Sequence, residues 1–383
     1  MARLMSIIAF SLISVLYVGS TPVVYARPHS EEVTFTSGDA VFSGTLTFPE
    51  GSGPHPAIVM ISGMGQQDRD WSFVGGKYKF AKGIADHLTA NGIAVLRYDD
   101  RGHGKSTGAP EMETGFDLLA DDVHAAVTML RERNDIAEIG LCGHSLGGII
   151  APYMQTKYNA ADFMIIVSGS FIPGEQIAID QAKTMPNIWR LSQNMTEEEC
   201  TDTGIRFAKS RSQYARNGEG REIIEETLYK LINWQIDNLT EEQIKENLQH
   251  YKDVAEFRKK SYEGALRYYT SAHQLSFVSH DPAEYISKVK CPILVVFGEK
   301  DKHVTVEKNR APLMHAMADA MTRDFAVAVI ADADHAYTTF ALNQEWNVLP
   351  ELLTFITSWI QARVSNVPSD DVSTMEESVV PTR

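Results

Sequence analysis

The chain has 383 residues, 44% of them hydrophobic, which is enough for a sizeable buried core. Its formal net charge of −15 disfavours nucleic acid and anionic membrane surfaces as partners. Three cysteines, Cys142, Cys200 and Cys291, have neither metal-ligand spacing nor the density of a disulfide framework.

Residues 1–26 carry Arg3, an apolar run over 4–18 and small residues up to Ala26, the pattern of a secretory signal peptide. The run is shorter than the roughly 20 residues needed to span a bilayer, so cleavage near Arg27 and a periplasmic or secreted mature chain without stable membrane insertion are expected. Losing Arg3 alone takes Lys plus Arg from 35 to 34 against 50 acids, which makes the mature charge −16. Residues 33–36 and 40–48 alternate around Ser37-Gly38-Asp39 and predict a β-hairpin. The continuous apolar run 57–61 suits a buried parallel strand and empties into Ser62-Gly63-Met64-Gly65. Helix patterns over 79–90 and 116–133 alternate with strands over 93–98 and 163–168, which implies a parallel sheet with right-handed crossovers.

The alternation stops over 171–288, where helical periodicity dominates and Thr196-Glu197-Glu198-Glu199 and Thr240-Glu241-Glu242-Gln243 read as capping boxes. Trp189, Trp234, Tyr262, Tyr268, Tyr269 and Phe277 lie here, at a helical spacing that favours core over cavity lining. The basic run Arg206, Lys209, Arg211, Arg216, Arg221 reads as a solvated helix face. A strand over 293–297, a helix over 307–320, a strand over 325–330 and a helix over 345–363 follow, and the polar, aromatic-free stretch 365–383 is expected to be disordered. The chain thus divides into a signal peptide (1–26), a first core part (27–170), a helical lid insertion (171–288), a second core part (289–364) and a tail (365–383).

The rest is organised around Glu138-Ile139-Gly140-Leu141-Cys142-Gly143-His144-Ser145-Leu146-Gly147-Gly148, a short apolar segment that passes through a glycine-flanked serine into the helix pattern 149–158. In a Gly-x-Ser-x-Gly elbow the turn is so tight that side chains two before and two after the serine collide, so Gly143 and Gly147 meet a steric requirement. Ser145 is thereby held exposed above the sheet edge.

With these elements the chain resembles the α/β-hydrolase superfamily over nearly all of its expected mature length. Ser62-Gly63-Met64-Gly65-Gln66-Gln67-Asp68-Arg69-Asp70, Tyr98-Asp99-Asp100-Arg101-Gly102-His103-Gly104-Lys105-Ser106 and Gly298-Glu299-Lys300-Asp301 resemble, more narrowly, a group of bacterial esterases within it. The resemblance implies a mostly parallel eight-stranded sheet flanked by helices, with an inserted helical lid. Related esterases often carry glutamate where this chain has Leu146, and Gly-Ser-Gly-Pro where it has Gly63-Met64-Gly65-Gln66. A leucine beside the serine implies a drier acyl site.

A serine hydroxyl needs a histidine to take its proton and a carboxylate to orient that histidine, and on this fold the chain order is Ser, acid, His. Of twelve histidines only His303, His315 and His335 follow the resumed sheet, and His335 sits in a loop just past a strand. Asp301 follows the strand 293–297 at the sheet edge where ligands gather. Asp332 and Asp334 are too near His335 in sequence to reach its far ring nitrogen and read as loop-shaping residues. Backbone N–H groups of Met64 and Leu146 are placed to receive the oxyanion. Asp68, Arg69, Asp70, Asp99, Asp100 and Arg101 read as an ion-pair network bracing two loops, and His144 as structural. The expected reaction is hydrolysis of a small-molecule ester through an acyl-enzyme, without metal or organic cofactor. Peptide or thioester cleavage by the same groups, or ligand binding without turnover, are the alternatives.

Overall fold

The computed structural model describes residues 29–340 and 346–364. The expected signal peptide and the expected disordered tail lie outside the described residues. Eight strands form one sheet: β1 (His29–Ser37), β2 (Ala40–Phe48), β3 (His55–Ile61), β4 (Ala94–Tyr98), β5 (Ile136–His144), β6 (Phe163–Val167), β7 (Ile293–Gly298) and β8 (Phe325–Ile330). They are ordered β1-β2-β4-β3-β5-β6-β7-β8. The β1–β2 and β2–β4 pairs are antiparallel and every other pair is parallel.

The central strands are continuous apolar runs because both faces of the sheet are covered. Side chains alternate strictly between two cores: Ala57, Val59 and Ile61 of β3 join the core beneath α2 (Phe116–Arg131) and α3 (Gly147–Tyr158). Ile58 and Met60 face the core beneath α1 (Phe80–Ala90) and α12 (Pro350–Gln361). Strand β7 divides the same way, with Val295 and Phe297 on one face and Leu294 and Val296 on the other. This double burial is what makes the sheet a stiff platform for the loops at its carboxyl edge.

Between β6 and β7 stand seven helices, from α4 (Gly174–Thr184), through α5 (Glu197–Asn217), α6 (Arg221–Asp237), α7 (Glu241–Asn247), α8 (Val254–Tyr269) and α9 (Ala272–Ser279), to α10 (Pro282–Ile286). Both capping boxes are formed, at Thr196 with Glu199 and at Thr240 with Gln243. Phe207, Ile224 and Leu228 make a small core among these helices, with Trp189, Tyr262 and Tyr269 packed on it. Ile286 of α10 instead joins the main core, so the last turn of the inserted stretch belongs structurally with the sheet.

Two expectations need correction. The basic run is not wholly a solvated face: Arg211 is buried, donates to Tyr269 O, Gln274 O and Gln274 Oε1, and lies over the Tyr269 ring at 5.0 Å. Its guanidinium thereby ties α5 to α8 and α9, and burial without a carboxylate partner lowers its pKa to about 10. The final helix begins at Pro350 rather than 345, because Trp346–Val348 pairs antiparallel with Thr338–Phe340 and Pro350 is pre-set for the first helical turn.

Candidate active site

Strand β5 runs straight into the turn that carries Ser145, whose φ of +54° is left-handed for a residue with a Cβ. A Cβ on Gly143 would stand 2.2 Å from Gly147 O, and one on Gly147 would stand 2.2 Å from Ile61 O. Neither position accepts any side chain, which is the collision that the sequence spacing predicts. Ser145 N–H donates to Val167 O at 2.9 Å and so anchors the apex to β6.

Asp301 and His335 are brought together from the loops after β7 and β8. His335 Nδ1 donates to Asp301 Oδ2 at 2.7 Å, while the other carboxylate oxygen accepts from His303 N–H at 2.8 Å and Val304 N–H at 2.9 Å. Burial works against charge on Asp301, but the hydrogen bonds from His335 and Val304 outweigh it and hold the carboxyl below its usual range. The Asp301 side chain is fully buried and that of His335 is 22% exposed, so Nε2 of the ring is left to face the cavity. Asp332 pairs with Lys300, and Asp334 accepts from Ala336 and Thr338 N–H. His303 lies beside His335 with ring centroids 5.0 Å apart, and His315 falls within α11 (Val306–Ala318).

Ser145, His335, Met64 and Leu146 line one cavity of about 720 Å³. Gly63 approaches the nucleophile turn so closely that a Cβ there would be 3.3 Å from the Ser145 Cβ. Among the described residues neither the Met64 nor the Leu146 N–H donates to a protein acceptor. Leu146, Ile149, Ile172, Ile177 and Phe277 make much of the wall apolar. Phe277 alone of the six aromatic residues singled out above lines this cavity. Among the described residues the wall has one carboxylate, Asp180, which is bound to Lys308 Nζ at 3.0 Å.

The charged motifs form the bracing network. Arg69 bonds Asp99 and Glu32, Arg97 and Lys79 pair with Asp70, and Arg101 pairs with Asp122 and Asp39. Asp68 and Asp100 stand apart from it: Asp68 accepts from Asp70 and Ser72 N–H, Ser62 Oγ donates to Asp100 at 2.7 Å and Gln67 N–H at 2.8 Å, and among the described residues no cation pairs with either.

Several contributors carry no motif. Ser168, at φ +49° and fully buried, touches Asp301 and bonds the Tyr337 hydroxyl at 3.1 Å. Tyr78 donates to Ala336 O at 2.6 Å, and His144 Nε2 meets His335 O at 2.8 Å, so two rings from distant segments fix the histidine loop. Burial first, then the charge of His335, pushes His144 down to about 4 and keeps it a neutral donor. The one available signal was the position of His144 beside the serine; Tyr78 and Ser168 are common residue types whose roles exist only after folding.

Comparison with known proteins agrees with this architecture. The chain is 32% identical over 154 residues to "Esterase EstD" of Thermotoga maritima, covering 40% of this chain and 36% of that protein. It is 25% identical to "Bifunctional esterase/perhydrolase DCH" of Acinetobacter calcoaceticus over 56% of this chain and 67% of that one. It thus spans about a third of the length of the first of these relatives. The crystal structure of hypothetical protein PA2218 from Pseudomonas aeruginosa matches with a TM-score of 0.50 at 16% identity, covering 93% of this chain and all of that one, a likeness of fold. The model of the serine aminopeptidase S33 family matches residues 74–339, well over half of the chain and including the elbow, Asp301 and His335, and the protein therefore belongs to this family of α/β-hydrolases.

Proposed function

We propose that the protein hydrolyses carboxylic esters through an acyl-enzyme, with Ser145 as nucleophile, His335 as general base and then acid, and Asp301 orienting the imidazole. The observation that carries this reading is the joint placement of a strained, half-buried serine and an Asp301-bound histidine on one mostly apolar cavity. With Nδ1 bound to Asp301, the other ring nitrogen is the one free to take the Ser145 proton and return it to the leaving alcohol. Negative charge on the carbonyl oxygen would be received by the Met64 and Leu146 N–H groups, which need no reorganisation to do so. Leu146 and Ile149 beside the serine suit an apolar acyl group.

Ester rather than peptide chemistry is favoured because an aminopeptidase must hold a free ammonium. Among the described residues the cavity wall has a single carboxylate, Asp180, and it is paired with Lys308. The two bacterial relatives named as esterases support the same choice. A signal-like segment at residues 1–26 supports export to the periplasm or medium, which fractionation of the expressing cell and the N-terminal sequence of the product will test.

The direct test is the intact mass of the protein after a fluorophosphonate, beside Ser145→Ala and His335→Ala. One adduct on wild type and none on either folded variant is expected, together with turnover of short p-nitrophenyl esters. An adduct on folded Ser145→Ala would overturn the assignment of the nucleophile.

A further inference from the structure

Behind the segment that presents Met64 lies a second cavity of about 50 Å³, bounded by Ser62, Gly63, Leu146, Asp100 and Glu111. It therefore touches both stretches of backbone to which the oxyanion is assigned. Three carboxyl groups, Asp100, Glu111 and Asp122, line this small cavity together with Arg101; Arg101 is bound to Asp122, and among the described residues neither Asp100 nor Glu111 has a lysine or arginine partner, which beside a site for negative charge requires an explanation.

The contacts of the pair supply one. Asp100 takes the Ser62 hydroxyl on one oxygen and Gln67 N–H on the other, and its own N–H donates to Gln67 O at 3.1 Å. It thus grips both ends of the loop that contains Gly63, Met64 and Gly65. Glu111 faces the Gly65 backbone N–H from the opposite side. Behind it, His273 of α9 brings Nε2 to 3.3 Å from Glu111 Oε1, the side chains being 1% and 12% exposed. Both ring nitrogens of His273 and Oε1 of Glu111 otherwise lack partners. A proton held between them satisfies two of these atoms at once.

Resting on the reading of Met64 as an oxyanion donor, we propose that Asp100 and Glu111, backed by His273 of the inserted helices, are positioning residues that set the Met64 N–H, and that they do so as proton-bearing acids. Burial raises Asp100 to about 8, and burial likewise raises Glu111 to about 7. His273 is held neutral by burial, at about 4. The other charges that face the pair are already committed: Asp99 to Arg69, and Asp122 to Arg101. Tyr98, the remaining titratable neighbour, is driven higher still by burial. Neutral acids leave the oxyanion site free of opposing charge. Ionisation, of Glu111 around pH 7 and of Asp100 around pH 8, would place negative charge directly behind it and weaken stabilisation of the oxyanion.

The test uses the full protein and a small alkyl fluorophosphonate, whose phosphoryl oxygen occupies the oxyanion site whatever the natural ester is. Asp100→Ala should slow the saturating rate of Ser145 phosphonylation by roughly ten-fold or more, with unchanged half-saturation. Asp100→Asn, which copies the neutral acid, should restore the rate. Wild type should lose rate as pH rises through about 7 and on past about 8, whereas the double variant Asp100→Asn with Glu111→Gln should not. An Asp100→Ala rate equal to wild type, or an alkaline decline that survives in the double variant, would overturn the inference. The double variant alone decides if Asp100→Ala does not fold. Ester turnover by wild type is measured in parallel: labelling without turnover counts against the ester reading, and the phosphonylation rates still decide this one.

Discussion

The two arms of the site, both standing at the carboxyl edge of one sheet, treat a buried carboxyl in opposite ways. In the arm after β7 and β8, Asp301 receives an imidazole and two backbone N–H groups and is held ionised below its usual range. In the arm after β3 and β4, Asp100 receives one hydroxyl and one N–H and is driven up to about 8 by burial. Depth alone does not decide charge. What decides it is the number of donors and whether one of them can become a cation. In the proposed reaction the first arm would supply an anion to steady a developing imidazolium, whereas the second would have to avoid opposing an anion forming on the substrate.

The largest effect is expected from removing the charge of the first arm. Asp301→Asn keeps the shape but lets the amide stabilise the wrong imidazole tautomer, and kcat on a p-nitrophenyl ester should fall by about ten-thousand-fold. A loss below ten-fold would mean that the pair is structural only. The second arm should answer differently, through stability. Folded Asp100 keeps a proton that the unfolded chain releases near the ordinary aspartate value, so its contribution to stability falls as pH rises from about 4 to about 8. Denaturant titrations of Asp100→Asn should show a flatter pH dependence across that window, with the variant gaining on wild type toward pH 8. Asp301 has the reverse sign: its lowered value contributes stability above the ordinary aspartate range and loses it as pH falls through the folded value.

Two smaller changes sharpen the contrast. Tyr78→Phe removes the hydroxyl that holds Ala336 O and should cost about 1 kcal/mol in chemical denaturation. It should also lower kcat several-fold, because the histidine loop then loses one of the distant side chains that hold it. Lys308→Met breaks the ion pair that joins α11 to α4 across the cavity rim. Since its partners are 52% and 30% exposed, stability should change by less than about 1 kcal/mol. The readable consequence is a change in KM, measured on esters of increasing acyl length.

The legibility of these parts follows their physics. The elbow was readable because steric exclusion acts between near neighbours in sequence: Gly143 and Gly147 collide with backbone whenever the turn forms. The sheet was readable because double burial demands continuous apolar runs, and β7, buried at every position, covers the run 293–297. The final helix was overextended because an apolar stretch before Pro350 fits a helix or a strand by periodicity, and only pairing with Thr338–Phe340 selects the strand. Arg211 was misjudged because helical spacing does not say which face meets a neighbour. Gln274 and Tyr269, about sixty residues away, made that face interior.

By itself, then, the sequence determined the order of elements, the strained serine turn and the candidate acid and histidine, since each rests on local sterics or on the period of burial. Only the tertiary structure decided that Tyr78, His144 and Ser168 support the first arm, and that Asp100, Glu111 and His273 gather behind the second. Those assignments depend on charge and hydrogen bonding between distant segments. The free energy of a buried polar group is set by the partners that folding brings to it, and its neighbours in the chain do not reveal them.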